Sequence, residues 1–243
     1  MPLRELVLDN VSAGYAGATV LEGVSLSVKR GERVGIVGRN GAGKTTTLAS
    51  VMGFAELRGG TVKADGSDMA GMRPYRRARL GIGYVPQTRD IFPTLSVEEN
   101  LEAGLNGRSK QHLAEAFELF PRLAERRRNS GRDLSGGEQQ MLSMARALMN
   151  DVSILLLDEP LEGLAPIIAD ELMEAIKRLT QDRGLGCVLI EQHVDTVLDF
   201  CDHILVLERG RSVFWGSVAQ LRAQPDILNS AIGLHRAEAQ SAS

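Results

Sequence analysis

A glycine-rich stretch between two apolar segments carries residues whose types and spacing suit phosphate binding. Gly38, Gly43, Lys44 and Thr45 form the pattern Gly-x-x-x-x-Gly-Lys-Thr. Glycine lets successive backbone N–H groups turn toward an anion, and a helix starting here adds its own unsatisfied N–H groups. A lysine suits the β- and γ-phosphates, and a threonine hydroxyl suits Mg²⁺. We therefore expect ATP to bind the loop residues Gly38, Arg39, Asn40, Gly41, Ala42, Gly43, Lys44, Thr45 and Thr46.

Two adjacent acids supply the second half of a hydrolytic site. Asp158 and Glu159 directly follow the apolar run from Ile154 to Leu157. Ligands of open α/β sheets bind at the carboxyl ends of the strands, so both acids are placed to meet the phosphates. Asp158 could help to hold Mg²⁺, and Glu159 could act as general base toward the attacking water. The pair predicts catalysis by Glu159 with Mg²⁺ as cofactor.

The elements that position these residues follow from the apolar patterns. Continuous apolar runs at 34–37, 154–157 and 188–190 predict strands buried on both faces of a parallel sheet. Leu6–Leu8 and Val24–Val28 instead suit a one-sided antiparallel sheet near the start of the chain. Pro166 begins a predicted helix, because apolar residues then recur at helical spacing. That apolar face comprises Ile168, Leu172, Ile176 and Leu179.

The remaining segments complete a predicted α/β architecture. Residues 96–149 are mainly helical in character, with a methionine-rich core face that includes Met141 and Met144. A late hairpin is predicted around Val213–Trp215. The fold class is therefore α/β, a P-loop NTPase core with a mixed sheet, an antiparallel β edge subdomain and an inserted α-helical subdomain. We expect one domain over residues 1–243, a helical subdomain over about 89–150, and a frayed tail over 235–243.

A short serine-led segment predicts a helix start with a second anion site. Ser135 and Glu138 have the spacing of a capping box, in which each side chain bonds the other residue's backbone N–H. Between them Gly136 and Gly137 each weaken a helix by about 1 kcal/mol relative to alanine. Bare backbone at a helix start again suits an anion. Two such sites for one set of Mg²⁺ ligands would make sense if two copies met head to tail.

Together these motifs resemble the ATP-binding subunit of an ATP-binding cassette (ABC) transporter over nearly the whole chain. In that family's terms "GRNGAGKT" is similar to the Walker A loop, "ILLLDE" to the Walker B strand and "LSGGE" to the signature. The resemblance implies that Tyr15 stacks on adenine and that Gln87 joins Thr45 and Asp158 at the metal. It also implies that His193 bonds the γ-phosphate and that Ser135, Gly136, Gly137 and Glu138 contact ATP held by a partner.

One position departs from the common family pattern and narrows the resemblance. Ala165 stands where many members carry an aspartate, in the segment "LEGLAP". This segment, with "IFPTLSVEENL" and "LFPRLAERR", resembles the shorter ATPase subunit of branched-chain amino-acid importers. Urea and short-amide importers have similar ATPases and stay an alternative. The expected solute is a branched-chain or other hydrophobic amino acid.

The resemblance also implies partners and a location. The partners would be a second ATP-binding subunit (a second copy, or, as we favour, a sibling), membrane-spanning permeases and, indirectly, a periplasmic solute-binding protein. We expect the chain at the cytoplasmic face of the inner membrane. Ile91, Phe92 and Pro93 are candidates for the surface that receives the permease, with Phe92 as its anchor.

Two other classes of protein stay alternatives, and composition disfavours a nucleic-acid partner and a membrane span. The net charge of −3, an aromatic content of 4% and a single tryptophan disfavour a nucleic-acid partner. Apolar runs are too short for a membrane span, and Cys187 and Cys201 are expected to be reduced core thiols. A soluble ABC ATPase of DNA repair or translation would usually carry two cassettes, long insertions or basic arms. A P-loop small-molecule kinase would leave the serine-led segment without a role.

Overall fold

The computed structural model of the protein describes residues 2–232, so the predicted tail at 235–243 lies outside the described residues. Two sheets organise this part of the chain. The first is antiparallel, with the order β2-β1-β4-β5. Its strands are β1 Glu5–Tyr15, β2 Ala18–Lys29, β4 Glu56–Ala64 and β5 Ser67–Asp68.

The second sheet is mixed and has the order β10-β9-β3-β8-β7-β6. Its strands are β3 Arg33–Val37, β6 Ile82–Val85, β7 Ile154–Asp158, β8 Gly186–Ile190, β9 His203–Glu208 and β10 Arg211–Ser217. All neighbouring pairs are parallel except β9 and β10, which form the predicted late hairpin. The parallel strands therefore end at one edge, where β7 ends at Asp158 and where the glycine-rich loop, Gln87 and Gln192 follow β3, β6 and β8.

Helices cover both faces of the mixed sheet. They are α1 Lys44–Met52, α2 Pro74–Arg79, α3 Val97–Gly104, α4 Leu113–Leu119, α5 Pro121–Glu125, α6 Gly136–Ala147, α7 Pro166–Gln181, α8 Val194–Phe200, α9 Val218–Arg222 and α10 Pro225–Ile232. Helix α7 begins at Pro166, as predicted, because proline tolerates the first turn, where its missing N–H leaves no bond unmade.

The central strands divide the interior into two cores. Along β7, Ile154 and Leu156 pack with α1 and the antiparallel sheet, whereas Leu155 and Leu157 pack with α3 to α8. Successive side chains of a strand point to opposite faces, so a strand buried on both sides must be apolar throughout. This confirms the predicted parallel strands. The buried side chains of α3 to α6 join the same cluster as α7.

Smaller expectations concern the two cysteines, the first strand and membrane spans. Cys187 and Cys201 are free and buried, and burial raises the pKa of Cys187 to about 12. Strand β1 is longer than its predicted Leu6–Leu8, because irregular pairing beyond Leu8 interrupts the alternation without ending the strand. No helix within residues 2–232 combines the length and apolar composition that a membrane span needs.

A buried arginine holds the far end of the helix that follows the glycine-rich loop. Arg77 Nη1 donates to the carbonyl oxygens of Ser50 at 2.9 Å and Val51 at 2.7 Å, in the last turn of α1. Nη2 and Nε donate to the carbonyl oxygens of Met69 and Met72, both at 2.9 Å. Burial lowers the pKa of Arg77. The guanidinium thus donates to carbonyl groups of the last turn of α1, which no further turn of the helix can satisfy.

We expect Arg77→Met to lower the free energy of unfolding by about 2–4 kcal/mol, because it removes a hydrogen-bond donor from four carbonyl groups. Urea denaturation measures the change. Arg76→Met is the matched control, since Arg76 lies exposed on the same helix, and it should change stability by less than about 0.5 kcal/mol. Equal stability of the two variants would contradict this role of Arg77.

Candidate functional site

The glycine-rich loop joins β3 to α1, and its glycines are needed for different reasons. A Cβ on Gly38 would lie 2.4 Å from the backbone oxygen of Leu207. A Cβ on Gly43 would lie 2.6 Å from Leu21 Cδ2, and its φ of 105° is left-handed. Gly41 also has a left-handed φ, 79°, but open space around its Cα. Packing thus fixes the two ends of the loop, whereas conformation alone requires the glycine between them.

Lys44 is a buried cation at the start of α1. Its side chain is 6% exposed, and Nζ donates to the carbonyl oxygen of Gly38 at 3.0 Å. Nζ also lies 3.8 Å from Glu159 Oε1. A buried ammonium interacts strongly with a nearby anion, because little water is present to screen its charge. A phosphate entering the loop would meet this charge together with the N-terminal N–H groups of α1.

Asp158 ends β7 beneath the loop and is 1% exposed. Thr45 Oγ1 donates to its Oδ1 at 3.1 Å, and the Tyr84 hydroxyl donates to its Oδ2 at 3.4 Å. Burial, with a smaller effect of the Glu159 charge, raises the pKa of Asp158 to about 6, although the Thr45 bond opposes the rise. A hydroxyl and a carboxylate oxygen this close form a hard oxygen pair, which fits Mg²⁺ coordination completed by phosphate and water.

Glu159 follows in a strained conformation. Its φ is 49°, in the left-handed region that costs a residue with a side chain about 1–3 kcal/mol. Its N–H donates to the carbonyl oxygen of Ile190 in β8 at 2.9 Å, which holds the turn. The side chain is 8% exposed. Its Oε2 accepts from Gln87 Nε2 at 3.1 Å and from Gln192 Nε2 at 2.9 Å.

These groups line one cavity of about 310 Å³. The predicted residues that line it are Asn40, Gly41, Gly43, Lys44, Thr45, Thr46, Gln87 and Glu159. Gly38 bonds Lys44, Arg39 and Ala42 belong to the same loop, and Asp158 is bonded to Thr45. The structure thus brings most of the expected ATP and metal residues together.

Two predicted residues, Tyr15 and His193, are not among the residues that line this cavity. Tyr15 is 41% exposed at the end of β1, and Val20 of β2 lines the cavity instead. His193 caps α8 with an exposed side chain, and the side chain beside Glu159 is that of Gln192. Strand β8 ends at Ile190 and α8 begins at Val194, so His193 is the N-cap of that helix, in an extended conformation. The roles of Tyr15 and His193 stay predictions.

The site also contains three residues that were not predicted from the sequence, Tyr84, Glu162 and Gln192. Gln192 could have been found, because it follows β8 at the same sheet edge as Asp158. Tyr84 was hidden inside a strand, where an aromatic residue is usually packing. Glu162 belongs to the segment "LEGLAP", whose pattern assigned a meaning only to Ala165. Ala165 caps α7 without a side-chain hydrogen bond.

The serine-led segment starts α6 as predicted. Ser135 and Glu138 form both bonds of the capping box. Gly137 has a packing reason that its sequence did not reveal, because a Cβ there would lie 2.5 Å from Ile168 Cγ2. Beside Gly136 lies the flexible side chain of Arg89, at 2.7 Å from such a Cβ. None of these four signature residues lines the cavity of its own chain.

Comparisons with known proteins agree with this geometry. The family profile described as ABC transporter matches residues 21–162, more than half of the chain. The high-affinity branched-chain amino acid transport ATP-binding protein BraG of Pseudomonas aeruginosa is 39% identical, over 94% of this chain and 99% of its own. The lipopolysaccharide export system ATP-binding protein LptB of Escherichia coli is 36% identical, over 90% of this chain and 93% of its own.

A solved structure is also similar. It is a dimeric, post-hydrolysis ATP-binding cassette bound to ADP and inorganic phosphate. It superposes with a TM-score of 0.77 at 26% identity and covers 88% of this chain and 98% of that chain. The likeness extends to a protein whose bound products are those of ATP hydrolysis.

The raised pKa of Asp158 predicts that Mg²⁺ binding weakens in acid. The carboxyl is mostly ionised above pH 6 and mostly protonated below it, so each pH unit below 6 should weaken Mg²⁺ binding by up to about tenfold. Calorimetric Mg²⁺ titration with a non-hydrolysable ATP analogue measures this. Asp158→Asn is the control for titration of the nucleotide, and the same pH dependence in both proteins would contradict the prediction.

Proposed function

We propose a specific transport function for this chain, which belongs to the ABC transporter family and hydrolyses ATP. The function is to power the import of a branched-chain or other hydrophobic amino acid. The observation that carries the proposal is the 39% identity with BraG over nearly the full length of both chains. The segment "LEGLAP", which has no acid at Ala165, supports it.

In the proposed mechanism the loop and the start of α1 grip the triphosphate. Lys44 neutralises the β- and γ-phosphates. Thr45, Asp158 and the side-chain amide oxygen of Gln87 would hold Mg²⁺, whose charge would stabilise the transferring phosphoryl group. Gln87 is suited to this because its amide nitrogen faces Glu159 and leaves its oxygen free.

Glu159 is proposed to direct the chemical step. It accepts a proton from water as the water oxygen attacks the γ-phosphorus. The bond from the γ-phosphorus to the β–γ bridging oxygen then breaks, which gives ADP and inorganic phosphate. The strained turn and the Lys44 contact support this role, because both hold the carboxylate at the end of the phosphate loop.

We propose that a second ATP-binding subunit completes each site. The signature residues lie outside the cavity of their own chain, which leaves them available to ATP held by a partner. The dimeric relative supports pairing of this kind. We favour a sibling subunit over a second copy, following the resemblance to importers with two different ATPases.

The proposed contact with the permease lies on the helical subdomain at about 89–150. Phe92 is 46% exposed, and the Arg146 guanidinium carbon lies 4.8 Å from its ring centre. The two border a depression of about 220 Å³. The buried Asn100 side chain holds the loop by bonding both the N–H and the carbonyl of Phe92. A rigid exposed aromatic suits an anchor for a membrane partner at the cytoplasmic face.

The 36% identity with LptB favours a second candidate, the export of lipopolysaccharide. Sequence identity separates the two candidates by only a few per cent, so an uptake assay must decide between them. The urea and short-amide alternative falls to the same assay.

Glu159→Gln should bind ATP but hydrolyse it at least about a hundredfold more slowly, because an amide does not accept the proton. Size-exclusion chromatography with ATP should then show a stable pair of ATP-binding subunits. Lys44→Ala is the companion variant and should lose nucleotide binding itself, measured by calorimetry. Rapid turnover by Glu159→Gln would contradict the role of Glu159 as base.

The transport function is tested by reconstituting the chain with its co-purified membrane subunits and solute-binding protein in proteoliposomes. We expect ATP-dependent accumulation of leucine but not of urea. Phe92→Asp should abolish uptake while the ATPase activity of the isolated subunit stays within about twofold, because a charge cannot enter an apolar contact without a large desolvation cost.

Val213→Asp is the matched control in that assay. Val213 is 44% exposed on β10, at the opposite edge of the sheet from β6 and Phe92. It should leave uptake unchanged. Urea uptake or lipopolysaccharide extraction in place of leucine uptake would contradict the proposed solute. Loss of uptake and of soluble ATPase activity together in Phe92→Asp would contradict the proposed contact.

A further inference from the structure

Two amides and a second acid surround the proposed base. Gln87 Nε2 donates to Glu159 Oε2 at 3.1 Å and to Glu162 Oε2 at 2.6 Å. Gln192 Nε2 donates to Glu159 Oε2 at 2.9 Å and to Glu162 Oε1 at 3.1 Å. Each amide therefore bridges the same two carboxylates. We call Gln87, Glu162 and Gln192 the amide clamp.

The clamp is assembled from three neighbouring strands. Gln87 follows β6, Glu162 follows β7 and Gln192 follows β8. The backbone N–H of Glu162 donates to the carbonyl oxygen of Glu159 at 3.2 Å, which closes the turn between the two acids. All three residues line the cavity. The Glu159 carboxylate thus accepts from two separate elements, through Gln87 after β6 and Gln192 after β8, which restricts it more than a contact within one loop would.

Hydrogen-bond accounting gives Glu162 a specific task. A neutral amide nitrogen has two hydrogens to donate, and each clamp amide directs them to one oxygen of Glu159 and one of Glu162. Glu159 Oε2 thus receives two donors, which leaves it little capacity to accept a hydrogen bond from water. Without Glu162, Glu159 would be the one remaining carboxylate that accepts from the two amides. Glu162 supplies the second acceptor, which keeps both amides in place when Glu159 turns toward water.

We propose that Glu162 is a positioning residue for hydrolysis, acting on Glu159 through the paired amides of Gln87 and Gln192. This inference rests on the proposed role of Glu159 as base. If Glu162 were only a solvated acid in a turn, its loss would leave kcat unchanged. The kcat of Glu162 variants therefore distinguishes a positioning residue from a solvated acid.

The test measures kcat and KM for MgATP in Glu162→Ala, Glu162→Gln, Gln192→Ala and the double variant Glu162→Ala/Gln192→Ala. We expect Glu162→Ala to lower kcat by about tenfold, the usual effect of losing a charged hydrogen bond, with KM changed less than about twofold. Glu162→Gln has nearly the same shape and retains one acceptor oxygen, so it should recover part of kcat. The double variant should be no slower than the slower single variant, since both changes disable one clamp.

Glu174→Ala is the control for the loss of one negative charge, because Glu174 lies exposed on α7. It should keep the kcat of the parent protein. Thermal unfolding is recorded for every variant, and the shape-conserving Glu162→Gln provides the kinetic comparison should Glu162→Ala unfold. Parent-like kcat in Glu162→Ala, or losses that multiply independently in the double variant, would overturn the clamp.

The Glu159→Gln variant separates this failure from failure of the proposed function. Slow turnover in Glu159→Gln with parent-like turnover in Glu162→Ala removes only the clamp. Fast turnover in Glu159→Gln removes the proposed base and the clamp together. A tenfold loss in KM rather than in kcat would assign Glu162 to nucleotide binding and would likewise overturn a positioning role.

Discussion

The buried charges at the end of β7 are the constraint on which the rest of the structure depends. Lys44, Asp158 and Glu159 are each less than 9% exposed, and they bring one cation against two acids. Burial of unbalanced charge is costly unless partners compensate it. The hydroxyl donors of Thr45 and Tyr84 compensate part of the charge of Asp158, and burial still raises the pKa of its carboxyl to about 6. The remaining negative charge favours a divalent cation at the place where a triphosphate would enter.

Such a cluster needs a fold that brings the ends of several strands together. Parallel strands end at a common edge, so residues distant in sequence arrive there together. Gln87, Asp158 and Gln192 meet in this way from β6, β7 and β8. The antiparallel sheet contributes the opposite wall through Val20. Arg77 adds to this order from a distance, because it holds the end of α1 whose first residue is Lys44.

The sequence predicts the parts of this site that have a fixed local pattern. The loop from Gly38 to Thr45 and the strand before Asp158 are contiguous, so their spacing specifies their geometry. Tyr84, Glu162 and Gln192 could not be predicted in the same way, because their roles depend on which strands are neighbours. Gln192 reaches Glu159 because β8 ends at Ile190, and a periodic pattern does not resolve the end of a strand to within two residues. Strand β4 was missed for a related reason: Gly59 and Gly60 interrupt its pattern, yet a Cβ on Gly60 would lie 2.2 Å from the backbone oxygen of Asn10.

Ala165 has no carboxylate that could connect the catalytic acid to the serine-led segment. A steric contact within the same chain connects them instead. Glu159 is covalently linked through the turn at Glu162 to α7, which begins at Pro166. In the first turn of α7, Ile168 fills the space that a side chain at Gly137 would need. Any displacement of the turn that shifts the start of α7 must therefore move or strain the start of α6, where Ser135 forms the cap. Because close-packed side chains transmit strain, this connection does not depend on a carboxylate at position 165.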